Sequence, residues 1–133
     1  MGENDLKALR IALVLIGIIF VVGVYPLTVL WPSGWVWLPI GPSFYLEMIL
    51  GVYATLGIFL IFAARKPLAN LSLIWFTVWS SVVHGGIMAV QAWMYPEHRG
   101  HLLGDVPALL LIALVLAVLT LRCEKARMLP HRS

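Results

Sequence analysis

Residues 71–94 read LSLIWFTVWSSVVHGGIMAVQAWM, 24 residues in which His84 is the one side chain that carries charge near neutral pH. The hydrocarbon of a bilayer is ~30 Å thick and is crossed by ~20 apolar residues, so this stretch predicts a membrane-spanning helix. Three more stretches have the same character: about Ile11–Leu30, Phe44–Ala64 and Leu102–Leu121. The second carries Glu47 and the fourth Asp105, otherwise without charge. An ionisable group inside a membrane costs at least ~2.5–3.5 kcal/mol on insertion scales, so these three side chains need a reason to be there.

The composition agrees with this reading. Of the 133 residues 62% are apolar and 11% charged, against roughly 45–50% and 25% in soluble domains. A water-soluble fold is excluded. Four spans with short connections use nearly the whole chain, which predicts one domain over 1–133 and no separate soluble catalytic module. The fold class is all-α: an antiparallel four-helix transmembrane bundle with spans at about 11–30, 44–64, 71–94 and 102–121.

The first apolar run is too long for a signal peptide and ends in Tyr25-Pro26 and Trp31-Pro32 instead of a small-residue cleavage site, so it reads as a retained helix. Pro26 is expected to kink or end it. Trp31–Ser43 (WPSGWVWLPIGPS) has three Trp, three Pro and two Gly, and reads as a loop in the head-group belt. Ser43 is placed as the N-cap of the second span. Glu97-His98-Arg99-Gly100-His101 forms a polar connector before the fourth.

Counting Lys and Arg by side gives Lys7, Arg10, Arg65, Lys66, Arg122, Lys125, Arg127 and Arg132 against Arg99 alone. The positive-inside rule then places both termini in the cytoplasm of a bacterial inner membrane, with 31–43 and 95–101 outside. The basic residues meet acidic lipid head groups, and nucleic acid is not an expected partner. The tail 123–133 is expected to lie on the inner leaflet. Cys123 is the single cysteine, which rules out a CxxC redox motif.

In this orientation Glu47 and Asp105 lie about one turn below the outer face, and His84 roughly 15 Å deep, at ~1.5 Å per residue. Ser80, Ser81, His84, Met88 and Gln91 share one helix face, and Glu47, Gly51, Ala54 and Thr55 share another. The functional reading is an outward polar pocket with Glu47, Asp105, His98 and His101 at the mouth, Gln91 on the wall and His84 at the floor. The structural reading has His84 bonded to a neighbour to hold the bundle register, and Glu47 and Asp105 as helix caps. Gly104-Asp105-Val106-Pro107 is a helix-start signature, and a start there would leave Asp105 nearly aqueous.

Glu47, His84 and Asp105 are the candidates for a metal, but without spacing such as HxxxH or HExxH. Haem would need two chains meeting at His84. No cofactor is expected. The aromatics Trp31, Trp35, Trp37, Trp75, Phe76, Trp79 and Trp93 are read mainly as belt and lipid-facing residues, with a stacking box for quinone or pigment as the alternative.

The stretches FYLEMILGVYATLGIFLIFAARKPLAN (44–70), SLIWFTVWSSVVHGGIMAVQA (72–92) and HRGHLLGDVPALLLIALVLAVL (98–119) resemble a family of small bacterial four-span membrane proteins with no assigned activity. The resemblance implies the fold and the membrane location and no reaction. Small multidrug exporters also have four spans, but their intramembrane Glu is in the first. Quinone-reducing four-helix proteins of the vitamin K type need paired cysteines.

These residues favour a non-enzymatic accessory or ligand-binding protein, self-associating or docked on a larger membrane complex. The alternative is a proton- or cation-coupled transporter using Glu47 and His84, and after it a metal-, haem- or quinone-binding redox protein.

Overall fold

The computed structural model describes residues 2–37 and 43–128. Helix α1 (Gly2–Ile18) passes through a π-helical turn at Ile19–Gly23 into α2 (Val24–Leu30), and α3 (Pro32–Trp35) is a single turn. Helices α4 (Phe44–Ala63), α5 (Leu71–Met94) and α6 (Asp105–Met128) follow, with 3-10 turns at Pro67–Ala69 and Pro96–Leu102. Four helical segments, Gly2–Leu30, Phe44–Ala63, Leu71–Met94 and Pro96–Met128, are long and apolar enough to cross a membrane, and no strand occurs among the described residues.

A Cβ on Gly2 would touch Ala126, while Gly34 lies against Gly104. The start of α1 and the end of α6 therefore share one end of the bundle, and α3 and the Pro96–Leu102 turn share the other. The helices run antiparallel. Their packing is not a closed ring: α1 lies between α4 and α6, α5 lies along α6, and α4 and α5 scarcely meet.

Lipid tails are as apolar as leucine, so helices in a bilayer associate through close packing and hydrogen bonds instead of the hydrophobic effect. The half of the bundle nearer the start of α1 and the end of α6 supplies this with Leu9, Leu13, Leu60, Ile74 and Leu116, each 0% exposed. Between α1 and α4 the contact is made by glycines, and a Cβ on Gly57 would come within 2.6 Å of the Gly17 carbonyl oxygen. Hydroxyls that would otherwise be unpaired bond their own helix: Thr77 to the Leu73 carbonyl at 2.9 Å and Thr55 to the Gly51 carbonyl at 2.9 Å.

Several boundaries differ from the sequence reading. The first helix begins at Gly2 and continues through Pro26, which lacks the N–H for a helical bond and crowds the carbonyl four residues back. The π turn just before it absorbs this mismatch, with the Val24 N–H donating to the Ile19 carbonyl. The expected loop at 31–43 contains the turn α3, and residues 38–42 lie outside the described residues. Ser43 caps α4, its Oγ accepting from the Leu46 N–H at 3.2 Å. The last helix starts at Asp105, three residues later than read, and runs on to Met128, because the Pro96–Leu102 turn ends in Leu103-Gly104. Of the tail expected on the inner leaflet, 123–128 is helical and 129–133 lies outside the described residues.

Candidate functional site

Two glycine contacts build the end of the bundle opposite Gly2 and Ala126. The Ser33 carbonyl sits against Gly100 and the Gly34 carbonyl against Gly104, each closer than any Cβ would permit. This seats α3 directly on the Pro96–Leu102 turn and carries Trp35 and Trp37 over the bundle.

Beneath them lies a buried polar knot. His101 is 1% exposed and Asp105 7%, and the His101 Nδ1–H donates to the Asp105 carboxylate at 2.9 and 3.0 Å. An ionised carboxylate only accepts, so the proton of that bond belongs to the imidazole nitrogen. The Trp37 Nε1–H donates to Asp105 Oδ2 at 3.1 Å. The Trp37 ring also stacks on His101, centroids 4.0 Å apart, and on His98 at 5.0 Å. One carboxylate thus ties together three chain segments.

A second pair lies deeper. The Tyr53 hydroxyl of α4 is 2.6 Å from His84 Nδ1 of α5, and Tyr53 meets Phe20 of the π turn edge-on at 4.9 Å. With the phenol O–H donating to Nδ1, the imidazole keeps its proton on Nε2, a donor that Tyr53 does not use.

Both polar groups line one cavity of about 120 Å³. Its walls are otherwise apolar: Phe20 and Val24 from the first helix, Leu46 and Leu50 from α4, Met88 from α5, and Leu109 and Ile112 from α6. Trp35 and Trp37 also line it, and the Trp35 Nε1–H is buried without a hydrogen-bond partner. Ile19 and Ile49 line the cavity yet are 45% and 38% exposed on the bundle surface. Between the π turn and α4 the cavity is thus walled by side chains that also face the outside of the bundle. π turns recur at functional sites, and this one forms a wall.

Of the residues singled out from the sequence, His84 and Asp105 meet at this cavity, and His101 braces Asp105 from behind. His98 contributes a half-buried stacked ring. Glu47 and Gln91 are exposed and do not line it. Glu47 stands in the first turn of α4, where a carboxylate suits the positive end of the helix. The line Glu47–Gly51–Thr55 expected to pack faces outward, and nothing lies within 4 Å of a Cβ on Gly51. The metal set Glu47, His84 and Asp105 is not assembled: among the described residues no group of three His, Cys, Asp or Glu is placed to hold an ion. Asp105 starts its helix as the sequence signature indicates, but it is buried, because α3 and Trp37 cover it.

Sequence reading missed Tyr53, and it placed Trp35 and Trp37 mainly in the head-group belt, with a stacking box only as the alternative. Tyr53 had a signal: Leu46, Leu50, Tyr53, Gly57 and Leu60 recur at spacings of four and three, and this stripe, not the one through Glu47, faces inward. Trp35 and Trp37 had none, since indoles in a Pro- and Gly-rich outer segment fit the head-group belt equally well. Trp31 and Trp93 do remain exposed, at 40% and 75%, as belt residues would.

The fold and the cavity define a small four-span membrane protein with a mainly apolar chamber, holding a few polar groups, near one end. The chain belongs to a family of unknown function, DUF6632, whose profile matches residues 4–132. Neither a curated protein nor a solved structure matches it.

Proposed function

We propose that this is a non-enzymatic ligand-binding protein of a bacterial inner membrane, and that the cavity under Trp35 and Trp37 takes a small molecule arriving from the lipid phase. The observation that carries this reading is the combination of Ile19 and Ile49, which line the cavity and also face the outside of the bundle and which we read as its entrance, with polar groups gathered at Tyr53, His84 and Asp105. A chamber serving only the packing of the bundle has no need of a door. Binding pockets are typically apolar with a few convergent polar groups, and this one has that make-up. Proton- or cation-coupled transport using Glu47 and His84 is less favoured, because Glu47 lies away from the cavity.

Substituting Ile49→Trp at the opening tests this. Protein purified in mild detergent and extracted with organic solvent is expected to release a small molecule in about equimolar amount, identified by mass spectrometry. The Ile49→Trp protein should release several-fold less at an unchanged melting temperature. The same extract from both proteins would refute the reading.

The orientation with both termini in the cytoplasm is supported by Lys7, Arg10, Arg65, Lys66, Arg122, Lys125 and Arg127 at one end of the helices against Arg99 at the other. A reporter fused at Ser133 is expected to be active in the cytoplasm and one inserted at Gly100 outside. A C-terminal reporter active only outside reverses the topology.

A further inference from the structure

From the donors that the cavity leaves unspent, we infer that its ligand is a lipid-soluble molecule with a single planar ring bearing carbonyl acceptors, of the isoprenoid-quinone class, bound head-inward with its tail passing out between Ile19 and Ile49. The inference rests on the ligand-binding reading above and names the chemistry of the occupant.

Three features carry it. The first is size. An engineered cavity of roughly 150 Å³ holds one benzene, so about 120 Å³ accommodates one small ring and not a whole lipid. A molecule drawn from the bilayer must then leave its chain in the side opening, where the two exposed isoleucines offer an apolar exit. The second is shape. Phe20, Trp35, Trp37, Tyr53 and His84 present five aromatic rings to this small space, a lining suited to a flat π-system. The third is polarity. Asp105 already receives His101 and Trp37, and His84 Nδ1 is paired with the Tyr53 hydroxyl. What remains are donors: the buried, unpartnered Trp35 Nε1–H and the His84 Nε2–H. A buried N–H without a partner is costly, so a group that accepts from it is favoured over one that donates. Carbonyl oxygens on a ring meet that demand, whereas an ammonium group, which has no acceptor, leaves the Trp35 N–H unpaired.

The test compares two probes of equal tail: 2-decyl-1,4-benzoquinone, with ring carbonyls and no further substituents, and decylbenzene, without carbonyls, titrated calorimetrically into the full-length protein in detergent. The decylbenzoquinone is expected to bind about tenfold tighter or better. In Trp35→Phe, which keeps a ring and removes the N–H, the preference for the decylbenzoquinone over decylbenzene should fall about tenfold. Equal affinity of the two probes, or a Trp35→Phe protein that keeps the full preference, overturns the carbonyl inference and leaves the ligand-binding reading standing. Failure of both probes to bind overturns this inference too, while the extraction experiment still decides the broader one. The comparison on the unmodified protein stands without any variant.

Discussion

Asp105→Ala is expected to be among the most damaging single substitutions in the chain, lowering stability by roughly 3 kcal/mol. The carboxylate is the common acceptor for His101 and Trp37, and His101, 1% exposed, has no water to replace it. Without Asp105 a buried imidazole and an indole N–H lose their partner together, and α3 loses its side-chain tie to α6. Asp105→Asn, which keeps one acceptor oxygen, should cost about half as much, at roughly 1–2 kcal/mol. Denaturation by increasing SDS in mixed micelles measures both, and near-ultraviolet circular dichroism follows the Trp37 stack. An Asp105→Ala protein as stable as the parent would mean that the knot contributes nothing to the fold.

The second large effect is expected on the other side of the bundle. In Gly57→Leu the new Cβ would meet the Gly17 carbonyl oxygen at 2.6 Å and the Phe20 Cβ at 2.9 Å, so α1 and α4 must move apart. Overpacking of this kind costs typically 1–3 kcal/mol, and backbone contact leaves little room to adjust, so the upper end, about 3 kcal/mol, is expected. Gly51→Leu, two turns earlier on the same helix, should be neutral within about 0.5 kcal/mol, because open space surrounds that position. The pair separates a glycine needed for close approach from a glycine that merely tolerates lipid. If both variants melt together with the parent protein, α1 and α4 are not held by this contact.

The comparison of Gly51 with Gly57 also marks how far the sequence could be read. The four spans were legible from length and hydropathy alone, and their antiparallel order followed from short connections. Which face of each helix turns inward was less legible. In the second span every face is apolar, so a stripe of Glu47, Gly51 and Thr55 competes on equal terms with one of Leu46, Leu50, Tyr53 and Gly57. A carboxylate draws the eye to the wrong one, because at the start of a helix near the interface it is satisfied without a protein partner. His84 was found because no such release exists for it, whereas Asp105 also stands at a helix start and is buried only because α3 and Trp37 cover it. Their partners Tyr53 and Trp37 are amphipathic rings that suit a membrane boundary and a buried site alike, and only the chain's path over that end of the bundle decides between the two.

The open arrangement of the helices bears on how the protein is made. Its close partnerships join α1 to α4 and α5 to α6, while α4 and α5, consecutive in the chain, scarcely touch. As the polypeptide leaves the ribosome, α4 emerges with its partner already in the membrane, whereas α5 must wait for α6 before it has a neighbour to pack on. Two successive helix pairs are thus expected to form in order of synthesis, joined afterwards through α1, which packs on α6 as extensively as on α4. Tyr53 and Trp37 belong to the first pair, His84 and Asp105 to the second. The chamber's lining is drawn from both pairs, so a chain truncated after α4 lacks His84, Met88, Asp105 and Leu109 and has no chamber.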